Sequence, residues 1–292
     1  MFDLFEKWDG TPKTEGSSSS QNSSSNSSSS SNYSSNPSSS STDSYSQNTN
    51  ANFSSKKIFV LSVGGSVFFN EKLRAPEIAK FCQCINELVN EGFSFVLVVG
   101  GGRVARVYQA GAKALGANNF ELDEVGIALT RANALFFTHG ISTAWKTVLS
   151  EPKEAETVLL LGKTPIFGGT TPGQTTDAVA AIIAELMNAD FINLSNVDGI
   201  YSADPAKEDR AKLFKELSHV KMISLLKAQA SKPGAHIFVD PHAASILNRS
   251  RIRGFFINGT DLDNFRNLVH GMEFKGTIVQ TISEDEVMPE ES

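Results

Sequence analysis

Phe93-Ser94-Phe95-Val96-Leu97-Val98-Val99-Gly100-Gly101-Gly102-Arg103-Val104-Ala105-Arg106 decides how the rest of the chain is read. Residues 93–99 are a short, nearly continuous apolar run, rich in valine and phenylalanine, which suits a strand buried on both faces. The run passes directly into three glycines, and residues 104–115 then show helical spacing. Strand, glycine turn and helix in that order form the first half of a parallel crossover unit.

The same grammar repeats on either side. Residues 58–63 predict a buried strand ending at Gly64-Gly65, and Ile78, Phe81, Ile85 and Leu88 predict a helix over 75–90 that Gly92 closes. A further helix is expected over 125–139, a short strand over 164–167 running into Gly168-Gly169, and an apolar helix over 176–188. Residues 191–194 read as a strand. Residues 196–204, with the turn dipeptide Asp198-Gly199, read as a turn or hairpin. Pro241 opens a helix to about residue 250, and strands at 254–257 and 276–279 flank a helix at 262–270. Strands alternating with helices imply an α/β fold, a three-layer sandwich with a mainly parallel central sheet.

Composition divides the 292 residues. Residues 14–55 are almost all Ser, Asn, Gln, Thr and Gly, too poor in aliphatic side chains to offset ordering entropy, and read as a disordered linker. Residues 56–282 form the expected folded domain, and 283–292 an acidic tail. In residues 1–13, Phe2, Leu4, Phe5 and Trp8 could share one helical face, either a frayed terminus or a tethered docking motif for a partner. A net charge of −6 with scattered basic residues argues against nucleic acid as a partner. No apolar run is long enough to span a membrane, and the N-terminus lacks the order of a secretory signal, so a cytoplasmic location is expected. Cys82 and Cys84 are two apart on a predicted helix, with no second Cys/His cluster to complete a metal site, and read as ordinary thiols.

Three predicted strands end in glycine turns: Gly64-Gly65-Ser66, Gly100-Gly101-Gly102 and Gly168-Gly169-Thr170. Ligands of such folds collect at the carboxyl ends of strands, where glycine lets backbone N–H groups approach phosphate closely. Neither G-x-x-x-x-G-K-[ST] nor G-x-G-x-x-G after the first strand is present, which disfavours a P-loop enzyme and a Rossmann dehydrogenase. Arg106, about one turn into its helix, could reach an anion with its planar fork, and Arg103 competes for that role. In Gly168-Gly169-Thr170-Thr171-Pro172-Gly173-Gln174-Thr175-Thr176-Asp177, Thr175 or Thr176 could cap the next helix, but the density of donors suggests a polar pocket as well.

Val99 to Arg106, Ile127-Ala128-Leu129-Thr130-Arg131-Ala132-Asn133-Ala134, the Gly168 to Ala181 stretch and Asn196-Val197-Asp198-Gly199-Ile200-Tyr201-Ser202-Ala203-Asp204-Pro205 together resemble the amino-acid kinase family, in particular archaeal-type UMP kinases. The resemblance implies ATP-dependent phosphorylation of UMP in pyrimidine nucleotide synthesis, with Mg²⁺ accompanying ATP and a homo-oligomer, often a hexamer. It implies that Gly64, Gly65, Gly102 and Arg106 hold ATP phosphates, and that Ser195, Asn196, Tyr201 and Asp204 frame ATP at the other half. Gly101, Asp123, Thr170, Thr171, Pro172, Gly173, Gln174, Thr175 and Thr176 would hold UMP. Asp123 would accept from the ribose hydroxyls, although a helix-capping role is open to it. Asp177 would organise the phosphate-binding groups, with an acceptor half over about 56–188 and an ATP half over about 189–282.

Many members of the family carry a lysine where this chain has Ser62, which leaves a cationic role open to Lys57, Arg131 or Lys232. Two other readings compete: a kinase for a carboxylate, carbamate or other small phosphate acceptor, and a catalytically silent nucleotide sensor or storage module.

Overall fold

The computed structural model describes residues 57–70, 73–230 and 238–282. The apolar N-terminal segment, the Ser-rich stretch, the acidic tail and Lys232 lie outside them. The chain runs through β1 (Ile58–Val63), α1 (Gly65–Phe68), α2 (Ala75–Asn90), β2 (Ser94–Val99), α3 (Gly102–Ala114), α4 (Asn119–Gly140), α5 (Glu154–Leu160) and β3 (Ile166–Phe167). It continues with α6 (Thr176–Met187), β4 (Asp190–Ser195), β5 (Glu216–Ser218), α7 (His219–Ala230), α8 (Pro241–Arg249), β6 (Gly254–Asn258), α9 (Leu262–Val269) and β7 (Thr277–Gln280). Among the described residues the strands form one sheet in the order β3-β2-β1-β4-β6-β7-β5. Every neighbouring pair is parallel except β6 with β7.

Side chains alternate across the sheet, which explains why the central strands read as unbroken apolar runs. Phe59, Leu61 and Val63 of β1 pack with Phe81, Phe137 and Phe265 on one face, against α2, α4 and α9. Val60 points the other way, into a second core shared with Val179, Ile183 and Leu247 of α6 and α8. Phe68 on the short α1 lies 5.4 Å from Phe81 and 5.8 Å from Phe137 between ring centroids. Such aromatic pairs add roughly 0.5–1.5 kcal/mol beyond area burial, and these fix the turn after β1 onto α2 and α4.

Several boundaries differ from the expectation for local reasons. α4 begins at Asn119 rather than near Val125, because Asn118 and Glu121 form a reciprocal capping box. Asp123 is therefore inside the helix and does not cap it. The 164–167 strand shrinks to Ile166–Phe167. Residues 196–204 do fold back: Tyr201 bridges Leu213 antiparallel, and the Phe214 N–H donates to Ile200 O at 2.9 Å. The elements α1, α5, α7 and β5 had no counterpart in the sequence reading. Among the described residues no helix is long and apolar enough to cross a membrane. Cys82 and Cys84 are buried free thiols, pushed up by desolvation to about 12 and about 11, so both stay protonated.

Lys57 settles at the amino end of β1, 3.8 Å from Asp190, which also holds Arg253 at 2.7 Å. At about 3.3 Å per residue, β1 separates Lys57 from the glycine end by roughly 20 Å. Lys57 therefore does not stand at the glycine turns.

Candidate functional site

The first two glycine turns meet at the carboxyl end of the sheet. Gly64 N–H donates to Leu194 O at 2.8 Å and Gly100 N–H to Val63 O at 2.9 Å, so each turn is stitched to the neighbouring strand. A Cβ on Gly65 would lie 2.0 Å from Gly102 N, and Gly102 itself has φ +66°. Only glycine permits two backbones to approach this closely. The requirement for glycine is thus met first by turn-on-turn packing. At the start of α3, Arg103 N–H is taken by Phe69 O at 3.0 Å and Ala105 N–H by Gly101 O at 3.4 Å, so the packing leaves the Gly102 and Val104 N–H groups at the positive end of the helix dipole.

The inner face of α4 fastens the second and third turns. The buried Asn133 amide nitrogen donates to Gly100 O at 3.0 Å and Gly101 O at 3.2 Å. Thr130 Oγ1 accepts from Gly169 N–H at 2.7 Å while donating to Ile127 O at 2.7 Å. Arg131 Nε donates to Gly169 O at 3.0 Å. Of the three candidates for the missing cation, Arg131 is thus placed at the third turn. None of these tethers was read from the sequence. The signal available was two polar residues three apart on a helix face otherwise carrying Ala134 and Phe137.

The 170–176 loop closes over the same space. Asp123 Oδ2 accepts from Gly173 N–H at 2.7 Å, and Gly173 sits at φ +84°, a backbone region that glycine adopts without strain. Thr175, not Thr176, caps α6, its hydroxyl accepting from Ala178 N–H at 3.1 Å. Between α3, α4 and this loop lies a cavity of about 280 Å³, lined by Gly101, Gly102, Arg106, Asp123, Gln174 and Thr176 among others. The structure thereby brings Arg106 together with Gly101, Asp123, Gln174, Thr175 and Thr176 of the expected acceptor set in one cleft, along with Gly102 of the expected ATP set, whereas Thr170, Thr171, Pro172 and Gly173 do not line it.

Asp177 stands in the first turn of α6, next in the chain to Thr176 of that lining, and does not itself line the cleft. Its Oδ1 accepts from Ser62 Oγ at 2.5 Å and from Asn193 Nδ2 at 3.2 Å. Ser62 and Asn193 are register partners on β1 and β4, so adjacent central strands present the two donors side by side. The residue retains some exposed surface, but protein crowds its carboxyl, and burial pushes its pKa above the ordinary carboxylate range; the Ser62 hydrogen bond opposes this.

Ser195 ends β4, and Asn196, Tyr201 and Asp204 follow it on one loop. Ser195 Oγ donates to Val197 O at 3.1 Å, and Tyr201 OH donates to Asp198 Oδ2 at 3.4 Å. Asp198 is anchored by Lys275 at 2.7 Å, the largest cause holding its carboxyl below the usual range. Asp204 Oδ1 accepts from Ala206 N–H at 3.0 Å. Tyr201 and Asp204 line a small cleft of about 20 Å³ with Val197, Pro205 and Phe238, whereas Asn196 is exposed.

A mainly parallel α/β sandwich with glycine turns converging on a polar cleft at its carboxyl edge belongs to the class of α/β proteins that bind ligands where strands end. More narrowly, the chain belongs to the amino acid kinase family, whose model matches residues 57–258. It is 41% identical over 221 residues to a uridylate kinase of Archaeoglobus fulgidus, covering 75% of this chain and 98% of that protein. A uridylate kinase of Methanocaldococcus jannaschii is 38% identical over 224 residues, with 76% and 98% covered. The crystal structure of uridylate kinase from Archaeoglobus fulgidus matches with a TM-score of 0.67 at 39% identity, covering 76% of this chain and 99% of that one. A UMP kinase from Ureaplasma parvum, at 17% identity and a TM-score of 0.62 over 77% of this chain and 99% of that one, shares the fold.

Proposed function

We propose that the chain transfers the γ-phosphoryl group of ATP to UMP, forming ADP and UDP for pyrimidine nucleotide synthesis. The observation that carries this is the cleft itself, where Arg106, Asp123 and Gln174 to Thr176 converge beside the two interlocked glycine turns. The match to archaeal uridylate kinases, which spans 98% of their length, supports the choice of acceptor. The acceptor half, about residues 56–188, contributes Gly101, Asp123 and Thr170 to Thr176. Gly64, Gly65, Gly102 and Arg106 take the ATP phosphates. The donor half, about 189–282, frames the rest of ATP with Ser195, Asn196, Tyr201 and Asp204.

A phosphate oxygen of UMP is already anionic, so the reaction needs no dedicated base. That oxygen attacks the γ-phosphorus in line, and the bond to the bridging oxygen of ADP breaks. The protein places the two groups and offsets the charge, through N–H dipoles and the Arg106 guanidinium. Asp177 supports the floor between them. ATP would bring Mg²⁺, which neutralises phosphate charge; among the described residues no three His, Cys, Asp or Glu side chains cluster, which suits an ion held by phosphates and water rather than a protein cage.

A homo-oligomer fits the outer faces of α3 and α4, where Val107, Tyr108, Phe120, Leu135 and Phe136 are exposed. The cytoplasm is the compartment this chemistry calls for, and both cysteines are free thiols. The direct test follows ³¹P NMR of the chain with Mg-ATP and UMP. Resonances of UDP should grow as the ATP γ signal falls; a γ signal lost only to inorganic phosphate contradicts the transfer.

A further inference from the structure

We propose that Thr130 and Asn133 are positioning residues for phosphoryl transfer, aiming the N–H groups of the second glycine turn and setting its distance from the third. The inference rests on the reading of the cleft as the phosphoryl-acceptor site. Both residues lie on the buried side of α4, three apart and therefore on one helix face. One face thus reaches two turns that are remote in sequence.

The peptide unit gives this contact direction. In a planar trans peptide, the carbonyl of one residue and the N–H of the next point opposite ways. Asn133 draws the Gly100 and Gly101 carbonyls toward itself, and so turns the N–H groups of Gly101 and Gly102 away from it, out of the core. The amide nitrogen can do this because it carries two donor hydrogens, one for each carbonyl. A carboxylate of the same shape would face both carbonyls with lone pairs.

Thr130 acts on the third turn by a different route. Its hydroxyl hydrogen is committed to Ile127 O, which leaves a lone pair facing Gly169 N–H. Arg131 takes the Gly169 carbonyl and by the same rule turns the Thr170 N–H outward. Gly101 and Thr170 are then held by one rigid helix, so the donors facing the acceptor phosphate keep a fixed separation. A displacement near 1 Å at such a site costs on the order of a hundredfold in rate.

The test compares Thr130→Val, which keeps the shape and removes the hydroxyl, with Thr130→Ser, which keeps the hydroxyl. Steady-state kcat and KM for UMP and ATP are measured on the full chain, with Asn133→Asp as a third variant. Thr130→Val should lose about tenfold or more in kcat while KM for ATP stays within about threefold, and Thr130→Ser should recover most of the loss. Asn133→Asp should lose about a hundredfold. Equal losses in Thr130→Val and Thr130→Ser, or a kcat for Thr130→Val near wild type, overturn the proposal. A wild-type chain that turns over no UMP sinks the functional reading alone. The positioning claim is then judged on inorganic pyrophosphate binding by calorimetry: about tenfold weaker binding to Thr130→Val than to Thr130→Ser supports it, and equal affinity overturns it.

Discussion

Ser62 on β1 donates its hydroxyl to Asp177 at the start of α6 across 2.5 Å, joining two residues 115 positions apart. The family resemblance leads one to expect a lysine at this position. Here a neutral hydroxyl and the Asn193 amide hold the carboxylate instead. Ser62→Ala removes one of these donors from a crowded carboxyl, so Asp177 should swing from its position. The expected result is about a tenfold fall in kcat with KM for both nucleotides within about threefold, read by steady-state kinetics. An unchanged kcat would show that Asp177 needs no orientation from β1.

Asp177 also makes stability depend on pH. Its carboxyl titrates above the ordinary range in the folded chain, chiefly through burial. Between the unfolded and folded pKa values the native state binds the extra proton, so stability falls as pH rises through that window. Above it the full penalty of a buried charge remains. Asp177→Asn should therefore raise the melting temperature at pH 7, with a gain that shrinks toward pH 4, and should cost on the order of a hundredfold in turnover. Melting curves at the two pH values check the sign; a variant less stable at pH 7 than at pH 4, relative to wild type, contradicts it.

Arg106 is exposed at the cleft and makes no contribution to the core. Arg106→Ala should leave the melting temperature unchanged and reduce turnover on the order of a hundredfold or more. A near wild-type rate would remove it from the transition state.

Asp123 pins the 170–176 loop through Gly173. Asp123→Ala frees the loop and, on the proposed reading of the cleft, removes an acceptor for ribose hydroxyls, so KM for UMP should rise by about tenfold or more with KM for ATP little changed. Equal increases for the two nucleotides would place Asp123 outside the acceptor site.

Lys57→Ala serves as the contrast. With its ammonium beside Asp190 at the far end of β1, the loss should alter turnover by less than about twofold, whereas Arg131→Ala should slow it about tenfold. A large effect at Lys57 would contradict the strand geometry.

Local signals carried much of this protein. The apolar runs of β1 and β2 are legible because both faces of each strand are buried, and their glycines because the chain must turn there. Proximity of Gly65 to Gly102 was not legible: it depends on two strands lying side by side in the sheet. Asn133, Thr130 and Asn193 escaped for the same reason, since each acts on a residue 16 to 39 positions away. The antiparallel β7 and the short α1 likewise depend on tertiary packing rather than on periodicity. Asp123 reads as standing ahead of a helix, but the capping box at Asn118 starts α4 earlier and puts it in the helix interior.

The central claim is the acceptor, and the most direct measurement is kcat/KM by coupled ADP release from the full chain with Mg-ATP, offered UMP, CMP, acetylglutamate and carbamate in turn. The account predicts that UMP exceeds every other acceptor by at least about tenfold. Preference for acetylglutamate or carbamate, or ADP release with none of the four, would contradict it.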